Sequence, residues 1–142
     1  MNNNSTENWF IYPIKVQPHH TDYAGIVWHG NYIQWMESAR VEYLESKGIK
    51  FSDLVNLGCD LPVVDLNIRY HRSLKMGMSA LMKTRLIDNS GVRIKWDYRL
   101  ESLDNKDLYI TANVTLVPVN INTGKIMRKF PPILVEIMQK LQ

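Results

Sequence analysis

The sequence predicts an α+β domain: a curved antiparallel sheet of five to six strands wrapped around one long central helix. Three observations carry that prediction. Between Asn31 and Lys47, apolar residues recur at spacings of three and four. Beyond about Val64, most of the chain alternates apolar and polar residues with a period of two. Short turn sequences separate the alternating segments, as they do between antiparallel strands. Each such strand has one apolar face to bury, and one long helix is available to cover it.

Trp9 to Gln17 is rich in aromatic and β-branched residues and stops at Pro18, so it reads as a strand. A glycine-hinged loop follows. The helix then runs from Asn31 to Lys47, with Tyr32, Trp35, Met36, Ala39 and Tyr43 on one face, widened by Ile33 and Leu44. Gly48 is a natural stop. Phe51 to Leu57 reads as a short helix capped by Ser52 and ended near Gly58. Strands follow in Val64–His71, Met78–Ile87, Val92–Glu101 and Leu108–Leu116. Asp88–Gly91, Leu103–Lys106 and Asn122–Gly124 have the composition of turns. Ile133 to Leu141 reads as a last helix entered through Pro131 and Pro132.

A chain of 142 residues fits one domain, residues 1–142, with residues 1–8 as a polar tail. Its net charge of +3 suits an anionic ligand and is too small to argue for nucleic acid. A single cysteine, Cys59, rules out a disulfide within the chain and favours a reducing compartment. It reads as a small buried hydrophobe. The first eight residues lack the basic start and apolar core of a signal peptide. No apolar run approaches the length of a membrane span. The expected location is therefore the cytoplasm. No His/Cys/Asp spacing suggests a metal.

The segment Thr21-Asp22-Tyr23-Ala24-Gly25-Ile26-Val27-Trp28-His29-Gly30-Asn31-Tyr32 brackets a loop between a carboxylate and an imidazole, directly ahead of the helix. The first N–H groups of a helix lack intrahelical partners, and the helix dipole favours negative charge there. The amides near His29 and Gly30 thus suit a carbonyl oxygen becoming an oxyanion. Gly30 admits a ligand close to the backbone, or simply makes a tight turn. His29 is placed to donate, to orient Asp22 or a water, or to pack. Asp22 either takes part in chemistry or hydrogen-bonds its own turn. His19 and His20 read as loop residues. Arg40 borders the apolar face, and Glu37, three residues earlier, is its expected partner.

The run T-D-Y-A-G-I-V-W-H-G-N-Y-I-Q-W-M-E-S-A-R-V-E-Y-L resembles the signature of hot-dog-fold acyl-CoA thioesterases of the 4-hydroxybenzoyl-CoA thioesterase family. I-R-Y-H-R-S-L-K-M-G and T-G-K-I-M-R-K-F-P resemble that family's following strand and late hairpin, so the likeness covers about Ile14 to Pro132. Ser73 and Met78 stand where members often carry proline and aspartate. The resemblance implies a hot-dog fold and hydrolysis of a thioester to free acid and coenzyme A. It makes Asp22 the nucleophile or the base that activates water. It implies no cofactor beyond the coenzyme A of the substrate, and a homodimer or homotetramer with acyl groups bound between subunits.

Arg69, His71, Arg72 and Lys75 then form a basic cluster suited to coenzyme A phosphates. Lys125, Arg128 and Lys129 form a second one. Trp28, Tyr32 and Trp35 are candidates to line an aromatic acyl pocket or to fill the core. Two rival functions use the same fold. A hydratase or dehydratase would work through His29 and Glu37, and a carrier would bind acyl ligands without catalysis.

Overall fold

The structure is a computed structural model and describes residues 9–88 and 91–141. The proposed tail and the tip of the Asp88–Gly91 turn lie outside the described residues. Strands β1 (Phe10–Lys15), β3 (Val63–Tyr70), β4 (Ser79–Asp88), β5 (Ile94–Glu101) and β6 (Leu108–Leu116) form an antiparallel sheet in the order β1-β4-β5-β6-β3. Strands β2 (Cys59–Asp60) and β7 (Val119–Asn120) form a second, two-stranded sheet. Helices are α1 (His29–Ser46), α2 (Phe51–Asn56) and α3 (Pro132–Leu141), with a 3₁₀ turn at Pro18–His20.

Two compact units emerge from the packing. The first holds the described residues up to Arg40 with Ile68–Arg85 and Tyr98–Ala112. β1 pairs with β4 here, from Phe10 opposite Thr84 to Lys15 opposite Ser79. Tyr32, Trp35, Met36 and Ala39 of α1 are buried, as are Tyr98 and Leu100 of β5 and Ile110 and Ala112 of β6. These are the residues the two periodicities select. Ile33 departs from its expectation, because the covered arc of α1 is narrower than the apolar stripe and leaves it exposed.

The predicted partnership of Glu37 and Arg40 does not form. Arg40 Nη1 instead donates to the Tyr98 hydroxyl at 2.9 Å, and Glu37 is exposed. Tyr98 is fully buried, so its hydroxyl takes a strong donor where water cannot reach. Burial pushes its phenol pKa up, against the pull of Arg40.

In the second unit (Val41–Asn67, Leu86–Asp97 and Asn113 onward), Tyr43 and Leu44 of α1 are buried with Ile94 and Trp96 of β5. Leu134, Ile137, Met138 and Leu141 form the buried face of α3. The rings of Tyr43 and Trp96 meet edge-on at 5.9 Å. Cys59 is buried and unbridged, and burial pushes its thiol pKa up, so it is a packed hydrophobe here. The Asn122–Gly124 turn closes on Asn120, whose Oδ1 accepts from the amides of Asn122 and Thr123.

β3 carries an unexpected surface. It is an edge strand, and Val63, Val64, Leu66 and Tyr70 are exposed. Its alternation promised one covered face, yet none of the described residues covers it.

The first unit also contains a buried ion cluster. Glu101 Oε1 lies 2.9 Å from Lys83 Nζ, and its Oε2 accepts from Arg99 Nε at 2.6 Å. Lys83 and Glu101 are both buried. Burial raises the Glu101 pKa, but the bonds and charges of Arg99 and Lys83 outweigh it and hold the carboxyl below the ordinary range. Removing one partner strands a buried charge. Glu101→Ala should therefore cost about 3 kcal/mol in urea unfolding. Because the folded-state pKa is depressed, the contribution is present above the ordinary carboxylate pKa and fades as pH falls below it. The alanine variant should lose that part of the acid dependence.

Candidate active site

The loop after β1 is held by a ladder of hydrogen bonds. Trp28 N–H donates to His20 O at 2.9 Å, and Asp22 N–H donates to Ile26 O at 2.9 Å. Thr21 and Val27 form the bridge between them. Gly25, at φ +77°, reverses the chain in a region that side chains disfavour. Asp22 Oδ1 accepts from the amides of Ala24 at 2.9 Å and Ile26 at 3.1 Å. One carboxylate oxygen thus makes the turn. Asp22 is exposed, and its other oxygen has no hydrogen bond among the described residues.

His20 has a structural role that its reading as a loop residue missed. Its carbonyl also accepts from Asn31 Nδ2 at 2.6 Å, which ties the loop to the first turn of α1. Its ring Nδ1 accepts from Gln17 N–H at 2.8 Å and its edge meets Trp35 at 5.0 Å. Asn31 is buried, as that bond requires.

The helix begins at His29, two residues before Asn31, so His29 and Gly30 belong to its first turn. Asn31 N–H donates to Trp28 O at 2.9 Å. The amides of His29 and Gly30 have no backbone acceptor among the described residues. Gly30 is in neither an open space nor a tight turn. A Cβ there would run into the Trp28 indole, which lies over it. Trp28 remains 52% exposed, and its ring sits 4.8 Å from that of His29. Trp35 and Tyr32 are buried core residues.

Residues 71–78 are stitched to this loop. Val27 N–H donates to Leu74 O and Met76 N–H to Gly25 O, each at 2.9 Å. At the other side, the amides of His71 and Arg72 share Tyr109 O at 2.8 and 3.3 Å. Two cavities result. One, of about 240 Å³, is lined by Val27, His29, Tyr32, Tyr70 and His71. The other, of about 580 Å³, is lined by Lys75, Met78, Asp107 and Tyr109. Ile26, Arg72 and Ser73 line both, so the two adjoin.

His29, Gly30, Arg72 and Lys75 are thus set along one groove edge or its helix start, while Asp22 and Arg69 line neither cavity. Lys125, Arg128 and Lys129 are exposed in the second unit. No local sequence pattern marks Asp107 or Tyr109, which reach the groove from β6 and the turn before it. Among the described residues, no group of three His, Cys, Asp or Glu side chains is placed to hold a metal.

Residues 16–141 match the family model of the thioesterase-like superfamily. The chain belongs to that superfamily. A Synechocystis sp. protein, named provisionally as an esterase, is 47% identical over 96% of this chain and 82% of its own length. An acyl-CoA thioesterase of Haemophilus influenzae is 28% identical over 84% of this chain and 87% of that one. The crystal structure of a DHNA-CoA thioesterase from Staphylococcus aureus superposes with a TM-score of 0.85 at 29% identity, over 94% of this chain and 91% of that one. The fold is the hot-dog fold expected from the sequence, and the thioesterase is a thioester hydrolase.

The loop that carries Asp22 should be pH-sensitive. Burial first, then the neighbouring His19, push the His20 pKa below its ordinary value of 6.5. The neutral ring is the form whose Nδ1 can accept from Gln17. The stabilisation is therefore full above pH 6.5 and is lost as pH falls through the lower folded-state value. His20→Ala should cost about 1–2 kcal/mol at pH 7.5 and flatten this dependence, read by thermal melts across pH 5–8.

Proposed function

We propose that the thioesterase hydrolyses acyl-CoA by attack from the Asp22 side on a carbonyl polarised by the His29 and Gly30 amides. The observation that carries this reading is the adjoining pair of cavities. One is lined by His29 of the helix's first turn and the other by Lys75, and Arg72 lines both. A thioester at the helix end would leave the phosphates of its CoA near those cations. Arg69, the third basic residue of the cluster, lies on the edge strand and would reach the phosphates only from outside the groove.

As the thioester carbonyl becomes tetrahedral, its oxygen gains charge that the two amides and the helix dipole stabilise. The free oxygen of Asp22 attacks the carbonyl carbon, or takes the proton from a water that does so. The C–S bond breaks, and CoA leaves as thiolate for protonation; where Asp22 itself attacked, water then cleaves the Asp22–acyl anhydride, which frees the acid and restores the carboxylate. His29, which lines the smaller cavity, is proposed to supply the thiolate's proton. The reaction needs no cofactor beyond the CoA of the substrate. The domain works as a single unit of residues 1–142 in the cytoplasm. Among the described residues, no helix is long and apolar enough to cross a membrane.

Asp22→Asn separates the carboxylate's two tasks, because asparagine keeps an Oδ1 to accept from Ala24 and Ile26. It should fold and bind substrate normally while thiol release falls by about 10²–10⁴-fold. A variant as active as the wild type would remove the proposal. An assay over short, long and aromatic acyl-CoAs identifies the acyl group, and hydration without thiol release would point to a hydratase. Label in Asp22 after a single turnover in ¹⁸O-water, or capture of an Asp22–acyl anhydride by hydroxylamine, marks Asp22 as the nucleophile; absence of both marks it as the base.

The enzyme is also proposed to be a homodimer or homotetramer. β3 presents unpaired backbone groups and exposed Val63, Val64, Leu66 and Tyr70 along one edge, a surface suited to a second copy. Sedimentation should find dimers or tetramers, and Leu66→Lys should shift them toward monomer with loss of activity. A wild-type monomer with full activity would contradict this.

A further inference from the structure

Arg72, a lining residue of both cavities, already has an anionic partner. Its Nη1 donates to Asp107 Oδ1 at 2.6 Å, and the two side chains are 62% and 44% exposed. Both groups line the larger cavity with Lys75. Asp107 is anchored through its backbone, as Arg72 is at Tyr109 O. Its N–H donates to Ser102 Oγ at 3.0 Å, and its carbonyl accepts from Ser102 N–H at 2.9 Å. Among the described residues, the one hydrogen bond of the Arg72 guanidinium is that to Asp107, so an anion that takes its place breaks no other.

We propose that Asp107 is a built-in competitor for phosphate, holding Arg72 in the empty enzyme and yielding it to the phosphates of the CoA group on binding. The proposal rests on acyl-CoA being the substrate. Without Asp107 the groove edge would carry two unopposed cations, Arg72 and Lys75. With it, one of them is neutralised until a stronger anion arrives. An exposed ion pair is weak, so a phosphate with more charge and more acceptor oxygens displaces it. The same carboxylate then faces the bound phosphates and weakens their hold. This limits retention of free CoA, which is the product as well as part of the substrate. Asp107 is thus a positioning and affinity-setting residue that touches Arg72, distinct from the reacting atoms.

The test titrates free CoA, dephospho-CoA and pantetheine into the wild type, Asp107→Asn, Arg72→Ala and the double variant by calorimetry. Steady-state hydrolysis of an acyl-CoA and the matching acyl-pantetheine runs alongside. Asp107→Asn should tighten CoA about threefold to tenfold and lower KM for acyl-CoA similarly, without raising kcat. It should leave pantetheine binding and acyl-pantetheine kinetics unchanged, and have no effect in the Arg72→Ala background. Weaker CoA binding by Asp107→Asn would make Asp107 a tether and overturn the proposal. Equal tightening with and without Arg72 would reduce it to general charge and also overturn it. If the wild type hydrolyses acyl-CoA but Asp107→Asn changes nothing, the proposal falls alone. If the wild type neither binds CoA nor hydrolyses its thioesters, the substrate reading falls and takes the proposal with it.

Discussion

The site depends on the hydrogen bonds that tie residues 17–31 into one rigid piece. The His20 carbonyl accepts both the Trp28 amide and the Asn31 side chain, so the loop and the first turn of α1 cannot move separately. Asp22 Oδ1 closes the other end of the same ladder. Helix amides are useful to an oxyanion only when they are aimed before the charge appears. In the proposed mechanism that aim would come from the buried Asn31 and from His20, neither of which has to touch substrate.

That ladder also resolves an ambiguity in the sequence. Asp22 looks equally like a turn residue and a reactive carboxylate. The geometry makes the first role a fact and leaves the second available, because a carboxylate has two oxygens and the turn uses one. Gly30 is a different case. Its lack of a side chain makes room for Trp28, a neighbour two residues away, and a helical glycine next to an aromatic residue gives no sign of that in a linear reading.

What was legible follows from what periodicity measures. β5 was read correctly because each step along a strand flips the side chain, so Ile94, Trp96, Tyr98 and Leu100 declare one buried face. The helix face was read correctly at its centre, but Ile33 was lost because spacing does not tell how wide the cover is. The two-residue strands β2 and β7 are too short to have a period. Arg40 was assigned to Glu37 because spacing sees only local partners, whereas Tyr98 lies 58 residues away. Arg72 was found as a cation, but its pairing with Asp107, 35 residues on, depends on β6 meeting the end of β3.

β3 shows the limit of reading one chain by itself. Its alternation is genuine, but among the described residues nothing covers Val64, Leu66 and Tyr70. The chemistry makes a matching demand. Stabilising an oxyanion by dipoles is most effective where water is kept out. Yet Asp22 is exposed, Tyr23 beside it is fully exposed, and Trp28 is half-exposed. A second copy seated on the β3 edge would answer both demands, because Tyr70, at the end of that strand, already lines the cavity that His29 lines. In the proposed oligomer, the uncovered strand and the exposed carboxylate would be two consequences of viewing one copy alone.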